Sequence, residues 1–245
     1  MTFKKAPNTV VILGVRLNST LQDKVLAEIV SRVACGQKTF VVTPNSEFLV
    51  YAQKHAWFKK ILNQADMAVP DTIGLILAAW VLGQPLKTRV TGADLVAKLL
   101  VVAKENGWRV GVIGARSGDK DERQKLIKKL QQKYSGAKIV SLEETPDWPK
   151  KGWQLVFACQ GMGKQEKWIA QNLPRAQEGG FMGVGSSLDY LTGFARRAPF
   201  WLRRLGLEWL WRFILRPRRH ARRVWRACVV FPYLILKEKF GLIKV

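Results

Sequence analysis

The stretch KTFVVTPNSEFLVYAQK (residues 38–54) decides the fold class. It begins with a short run of strand character, turns through Thr-Pro-Asn-Ser, and continues with apolar residues at helical spacing. The same order recurs through residues 10–190 and predicts an α/β protein, with a mostly parallel sheet and helices on both faces. Strands are expected at 10–15, 38–42, 67–69, 109–113, 137–140, 154–158 and 180–184. Helices are expected at 20–35, 45–63, 73–82, 94–106, 119–133 and 163–172.

The amino-acid composition limits the classes of function that this protein can have. Among 245 residues there are 41 Lys and Arg against 18 Asp and Glu, a net charge of +23, which indicates an anionic partner such as nucleic acid, an anionic membrane or a phosphorylated substrate. Two His and three Cys, with no CxxC pair, argue against a Ser-His-Asp triad, a zinc site and a disulfide framework. No metal ligand set and no cofactor are expected.

The last fifth of the chain differs from the rest. Residues 194–245 hold 14 Lys and Arg but only two acids, together with four Trp and five Phe. Pro199 and Pro217 divide this segment into two expected helical stretches, 200–215 and 218–236. We therefore expect one domain over residues 1–194 and a basic, amphipathic helical appendage over residues 195–245.

The second of these stretches has the pattern of a helix that lies on a membrane. Arg219, Arg222, Arg223 and Arg226 fall at i, i+3, i+4 and i+7, with Trp225 on another face. Such a helix places aromatic groups at the headgroup boundary while arginine binds lipid phosphate, and each basic residue contributes roughly 1 kcal/mol. The alternative is a helical hairpin packed on the domain with a solvated basic face. No apolar run reaches the ~20 residues of a membrane span, which predicts a cytoplasmic, peripheral protein.

Polar residues follow two of the expected strands. Thr43 and Asn45 come after strand 38–42, and Asp71 comes after strand 67–69. Because ligands bind at the carboxyl ends of parallel strands, these side chains could converge in one crevice, with Asp71 as a general base. The alternative is that they are helix N-caps, which is also the simpler interpretation of Asp94. Asp119-Lys120-Asp121 is a D-x-D sequence, but its place at a predicted helix start favours a structural role.

Eight segments of the sequence, in their order along the chain, resemble those of a known protein family. They are ILGVRL (12–17), TPNSEFLVYAQ (43–53), ADMAVPDTIG (65–74), GQPLKTRVTGADL (83–95), VIGARSG (112–118), GMGKQEKWI (161–169), GVGSSLDYLTG (183–193) and RRAPFWLRRLGLEWLWRFILRPRR (196–219). In this order they resemble the WecG/TagA/CpsF family of bacterial glycosyltransferases, glycosyltransferase family 26.

The resemblance implies a Rossmann-like fold of the GT-E type and inverting transfer without a metal. The implied donor is a UDP-sugar, and the implied acceptor is a saccharide on a polyprenyl diphosphate at the inner face of the cell membrane, for surface polysaccharide synthesis. Asp71 would be the catalytic base, with Thr43 beside it. The implied substrate-binding residues are Asn45, Arg89, Gly92, Asp94, Gln165, Glu166, Gly185 and Asp189. The implied lipid-diphosphate or membrane contacts are Arg196, Arg197, Arg212, Arg219, Arg222, Arg223, Arg226, Trp209 and Trp225.

This sequence departs from the family pattern in three places. Thr72 replaces a glycine, Met162-Gly163 replaces a small residue and proline, and SLEETPDWPKKGW (141–153) replaces an aromatic segment. Three alternatives stay open: an inactive family member acting as a membrane scaffold, a nucleic-acid-binding protein without a recognised motif, and an NAD-dependent oxidoreductase. The donor sugar, an N-acetylmannosamine type, its uronic acid or a hexose, also stays open, as does the oligomeric state.

Overall fold

A parallel six-stranded sheet forms the centre of the protein. The computed structural model describes residues 9–243, except for the side chain of Arg219. The sheet has the order β4-β3-β8-β7-β5-β6, and every neighbouring pair is parallel. Its strands are β3 (Lys38–Val42), β4 (Met67–Ala68), β5 (Arg109–Ile113), β6 (Lys138–Ser141), β7 (Leu155–Ala158) and β8 (Gly179–Gly183). The α/β prediction is confirmed.

Helices cover both faces of the sheet. Those up to residue 191 are α1 (Gln22–Ala34), α2 (Ser46–Lys54), α3 (Ala56–Gln64), α4 (Ile73–Val81), α5 (Gly92–Glu105), α6 (Lys120–Lys133), α7 (Lys164–Asn172) and α8 (Ser187–Leu191). One apolar core lies under α2, α3, α4 and α7, and a second lies under α1, α5 and α6. The strands β7 and β8 are buried on both faces, as expected of a parallel sheet between two helical layers.

The amino-terminal prediction of a single strand at 10–15 is wrong. That run is an antiparallel hairpin of β1 (Thr9–Ile12) and β2 (Val15–Asn18), with Ile12 paired to Val15. Leu13 and Gly14 between them both have positive φ, 50° and 72°, the backbone of a tight two-residue hairpin turn. The continuous apolar run hid this turn, because leucine is an uncommon residue in the left-handed region.

Two predicted helices are divided in the structure. The expected helix 45–63 is broken at His55, which has an extended backbone. His55 is the C-cap residue of α2 and the N-cap residue of α3. The expected stretch 200–215 is two helices, α9 (Phe200–Arg204) and α10 (Glu208–Leu215), because Gly206 adopts a φ of 75° between them. The second expected stretch, 218–236, is nearly continuous: α11 (Pro217–Trp225), one π-helical turn (Arg226–Val230) and α12 (Phe231–Lys239).

The carboxyl-terminal helices pack on the domain rather than standing apart from it. Phe231 and Ile235 of α12 are buried in the core beneath α2 and α4. The backbone N–H of Leu13, in the hairpin, donates to the Glu238 carboxylate at 3.0 Å. Across residues 9–243, no helix is long and apolar enough to cross a bilayer. The division at residue 194 into two folding units stays a prediction.

Gly179 gives a direct test of the packing of β8. Its φ is 109°, and a methyl group there would lie 1.9 Å from the Trp153 carbonyl oxygen. Gly83, with a φ of 72°, has nothing within 4 Å and serves as a control for backbone strain alone. We expect Gly179→Ala to lower the free energy of unfolding by about 1–3 kcal/mol more than Gly83→Ala. Both variants strain the backbone at a positive φ, but only Gly179→Ala also forces a methyl group against a neighbouring carbonyl oxygen. Chemical denaturation measures both variants, and equal losses would contradict the predicted clash.

Candidate active site

Asp71 lies at the carboxyl end of the edge strand β4. Its backbone N–H donates to the Pro44 carbonyl oxygen at 2.9 Å, which ties the turn after β4 to the turn after β3. Its carboxylate oxygen Oδ1 accepts a hydrogen bond from the Gly92 N–H at 2.8 Å, at the start of α5. Three chain segments that are separate in the sequence therefore meet at this carboxylate.

The environment of Asp71 suits a proton acceptor. Burial raises the pKa of Asp71 to about 6, well above the ordinary value of 3.8. The Gly92 hydrogen bond and the charges of Arg212 and Arg89 lower this pKa, and the charge of Glu208 raises it. A carboxylate with a pKa slightly below neutral is ionised at neutral pH and is still a better base than an exposed aspartate.

Thr43 lies beside Gly92, the residue whose N–H donates to the Asp71 carboxylate, whereas the Asn45 side chain is a helix cap. A methyl group on Gly92 would lie 2.9 Å from the Thr43 hydroxyl oxygen, so glycine is required for Thr43 and α5 to approach each other. The Asn45 side chain accepts from the Phe48 N–H at 3.1 Å and caps α2. The N-cap interpretation therefore describes Asn45, while Asp71 makes no cap within its own turn.

Asp94 belongs to an ion-pair cluster beside the crevice. The helix α5 starts at Gly92, two residues before the predicted start, and Thr91 rather than Asp94 is its N-cap. Arg197 donates to Asp94 Oδ1 at 2.6 Å, and the Thr91 hydroxyl donates to the other carboxylate oxygen. Burial would raise the pKa of Asp94, but the hydrogen bonds from Arg197 and Thr91 outweigh it and lower the pKa.

Two arginines from separate parts of the chain, Arg89 and Arg212, lie close enough to Asp71 for their charges to lower its pKa. Arg89 donates to the Arg203 carbonyl oxygen at 2.6 Å, which joins the turn before α5 to α9. Arg212 of α10 donates to Glu208 at 2.8 Å and lies over the Tyr190 ring at 5.4 Å. The buried N–H groups of the described residues that lack a hydrogen-bond partner include four in this region, on Arg197 (Nε and Nη2), Arg203 (Nε) and Arg212 (Nε). Buried donors without acceptors are costly, so this cluster favours a ligand rich in anionic oxygen.

Gln165 and Glu166 are buried and shape the loop after β8. Glu166 is 1% exposed, and its carboxylate accepts from the Gly163 N–H at 2.7 Å. Burial raises the pKa of Glu166 to about 7, although the hydrogen bonds from Gln165 and Gly163 lower this pKa. Gln165 accepts from the Gly185 N–H at 3.1 Å. Gln165 thus holds the Gly185 turn and Glu166 holds the Gly163 turn before α7, and the contact of either with substrate stays a prediction.

Two of the predicted substrate-binding residues, Gly185 and Asp189, follow β8, a central strand of the sheet. Gly185 has a φ of 52° and open space around it. Asp189 of α8 pairs with Arg116 at 3.4 Å, and Arg116 also pairs with Glu122 at 2.9 Å. Arg116 was not predicted from the sequence. It lies in the turn after β5 with a φ of 54°, and its guanidinium stacks over the Phe194 ring at 4.7 Å. Asp119 of the D-x-D sequence caps α6 by accepting from the Glu122 N–H at 2.9 Å, as its position at a helix start indicated.

The predicted basic face of α11 is partly used inside the protein. Arg223 donates to Glu47 at 2.6 Å, and Arg226 lies 3.5 Å from the same carboxylate. Glu47 is buried in the first turn of α2, next to Asn45. Arg196 and Arg222 are exposed, as are Trp209 and Trp225, whereas the side chain of Arg219 lies outside the described part. Arg223 of α11 and Arg226 of the following π-helical turn, two of the four arginines at helical spacing, thus hold this segment against the domain.

The Glu47 contact predicts how firmly α11 is held. Glu47→Gln leaves two arginines facing a neutral amide, and we expect the free energy of unfolding to fall by about 1–3 kcal/mol, the range of hydrogen bonds to charged groups. Glu28→Gln is the control, because its pair with Arg32 is exposed and should change stability by less than about 1 kcal/mol. Hydrogen exchange of the α11 amides would show faster opening in Glu47→Gln, and unchanged exchange would contradict this role.

Comparisons with known proteins identify the family of the chain. Residues 10–244 match the glycosyl transferase WecG/TagA/CpsF family. The chain belongs to that family. It is 31% identical, over 98% of its own length and 97% of the relative's, to an N-acetylglucosaminyldiphosphoundecaprenol N-acetyl-beta-D-mannosaminyltransferase of Staphylococcus aureus strain NCTC 8325 / PS 47. The same identity and coverage hold for the proteins of that name in strains COL and MSSA476. The protein is therefore a member of a glycosyltransferase family along nearly its whole length.

The three departures from the family pattern differ in how the fold accommodates them, and the one at Met162-Gly163 places Gly163 at a φ of 85°, which a proline cannot adopt. Thr72 is the N-cap residue of α4 with an ordinary φ of −122°, so the backbone accepts a side chain after Asp71, but its buried hydroxyl makes no hydrogen bond. The segment 141–153 forms two short 3₁₀ turns and buries Trp148 and Trp153. Its Glu143 accepts from the Gly114 N–H at 2.7 Å, beside the end of β5. Residues 141–153 are therefore folded and contact the turn at the carboxyl end of β5.

Proposed function

We propose that this protein transfers a sugar of the N-acetylmannosamine type from a UDP-sugar to a saccharide on a polyprenyl diphosphate. The family membership supports sugar transfer, and the name of the Staphylococcus aureus relatives supports a diphosphate-lipid acceptor that ends in N-acetylglucosamine. The proposal places the protein in the synthesis of a bacterial surface polysaccharide. The observation that carries it is the Asp71 carboxylate, poised near pKa 6 at a crevice lined by arginines.

The proposed chemistry is a single displacement. Asp71 accepts the proton of the acceptor hydroxyl while that oxygen bonds to the anomeric carbon of the donor. The bond between the anomeric carbon and the UDP oxygen breaks on the opposite face, so an α-linked donor gives a β-linked product. Base catalysis by a positioned carboxylate contributes about 10²–10⁴-fold to the rate. The Thr43 hydroxyl, which lies beside Gly92 at the same turn, would orient the sugar.

Positive charge would stabilise the departing UDP. Its diphosphate gains negative charge as the bond breaks, and preorganised donors in a partly dry site stabilise such charge most effectively. Arg197, Arg203 and Arg212 carry buried N–H groups without partners and supply that charge without a metal. The same groups could instead hold the acceptor diphosphate. Transfer in the presence of EDTA is the expected sign of this metal independence.

Membrane association would bring the enzyme to its acceptor. The exposed aromatic residues of α9 to α12 include Trp201, Trp209, Trp225 and Tyr233, and exposed arginines lie among them at 204, 216 and 222. Aromatic and basic groups together are typical of a peripheral membrane surface, here at the inner face of the cell membrane. Binding to vesicles with anionic lipids should weaken as salt is added, because salt screens the electrostatic part.

The test is transfer by the full chain. Purified protein is given a panel of UDP-sugars and an acceptor of N-acetylglucosamine on a diphosphate lipid, with EDTA present. The proposal expects one donor to be used and the anomeric configuration of the product, read by NMR, to be β. No transfer from any donor, with vesicle binding intact, would instead support a membrane scaffold. Binding of RNA with no vesicle binding would contradict the proposal altogether.

A further inference from the structure

We propose that the exposed face of α4 binds the polyprenyl chain of the acceptor and leads it away from Asp71. This inference rests on the proposed function for the identity of the ligand, and it concerns a helix to which the sequence analysis gave no lipid contact. The ligand class is a diphosphate joined to a long isoprenoid chain.

The composition of α4 is unusual for an exposed helix. Its nine residues, IGLILAAWV, contain no polar or charged side chain. A helix that is apolar all round is normally buried on every side. Here only one side is buried, through Leu75, Ala78 and Ala79. The opposite side presents Ile73, Leu77 and Trp80 at i, i+4 and i+7, so they form one continuous stripe.

The stripe starts at the candidate active site. Ile73 is two residues after Asp71, and exposure rises along the stripe from 37% at Ile73 to 57% at Leu77 and 74% at Trp80. A methyl group at Gly206 would lie 2.9 Å from Ile73 and 3.3 Å from Arg89 Nη1. The turn between α9 and α10 therefore covers the inner end of the stripe and brings the arginine cluster next to it.

The polarity of this region matches one kind of ligand. Cations and unpartnered N–H groups lie at the inner end, and about 10 Å of uncharged, apolar helix surface runs outward from Ile73 to Trp80. A diphosphate lipid has the same order, an anionic head followed by an apolar chain. A stripe used only to anchor the protein in a bilayer would not need to begin beside the catalytic carboxylate.

The experiment measures chain-length preference in binding, without any sugar donor. Titration calorimetry in detergent micelles compares undecaprenyl diphosphate with isopentenyl diphosphate, whose chain is too short to reach Leu77. We expect the chain with its natural sequence to bind undecaprenyl diphosphate more tightly than isopentenyl diphosphate. The double variant Leu77→Gln/Trp80→Gln should reduce that preference by roughly tenfold and leave binding of isopentenyl diphosphate unchanged. Both side chains are exposed, so the fold should tolerate the change.

Controls separate this role from membrane anchoring. Val101→Gln changes an exposed apolar residue of α5, a helix of the opposite face, and should alter neither ligand's binding. The double variant should bind anionic vesicles as the natural sequence does. Loss of vesicle binding with the chain preference intact would overturn the proposal in favour of anchoring, and absence of any chain preference would also overturn it. Failure of sugar transfer alone would refute the proposed function without changing these binding results.

Discussion

Asp71→Asn is expected to lower kcat by about 10²–10⁴-fold, the usual contribution of a positioned general base. The amide oxygen can still accept the Gly92 N–H, so the turn after β4 should keep its shape. Thermal stability near neutral pH should stay the same or rise. The reason is that burial holds the pKa of Asp71 at about 6, above its unfolded value, so the ionised carboxylate costs stability at that pH.

The combination of lost turnover and retained stability distinguishes a catalytic carboxylate from a structural one. Calorimetric titration with UDP should give the same affinity for Asp71→Asn and the natural sequence. Asp121→Asn, a change at an exposed acid in the first turn of α6, is the control and should affect neither rate nor stability. A fall in melting temperature that accounts for the lost activity would contradict the assigned role.

Arg212→Gln is expected to lower kcat by about 10²–10³-fold if its charge stabilises the departing diphosphate. Arg212 is the largest charge that lowers the pKa of Asp71, so its loss should also move the acid limb of activity to higher pH. A steady-state pH series on both proteins measures the two effects together. Arg218→Gln, a change at an exposed arginine of α11, is the control and should leave both quantities unchanged. A variant with normal kcat and an unshifted acid limb would remove Arg212 from the site.

The sequence predicted the sheet and the place of the carboxylate because both depend on local patterns. Strands 38–42 and 109–113 have the predicted bounds, since each is an apolar run between polar turns. Asp71 follows a short buried strand, and the parallel sheet places it beside the turn after β3. The hairpin at Leu13 was missed because its turn uses a residue that rarely adopts positive φ.

The ion pairs around the crevice could not be predicted in this way. Glu47 and Arg223 are 176 residues apart, and nothing in the spacing of either segment pairs them. The same holds for Arg197 with Asp94, which are 103 residues apart. The helical spacing of the α11 arginines was visible in the sequence, but the buried acid that binds two of them was not. Long-range charge pairing follows from tertiary packing, which local periodicity does not encode.

The pH dependence of kcat/KM for sugar transfer tests the central claim most directly, because it reports the ionisation of the essential base in the free enzyme. The diphosphate groups of the donor and the acceptor are both esterified, so neither substrate should titrate between about pH 4 and pH 8. We expect kcat/KM to rise with pH and to level off above a pKa of about 6, the value to which burial raises the pKa of Asp71. An acid limb near the ordinary aspartate value of about 4, or no limb at all, would contradict the assignment of Asp71 as the base.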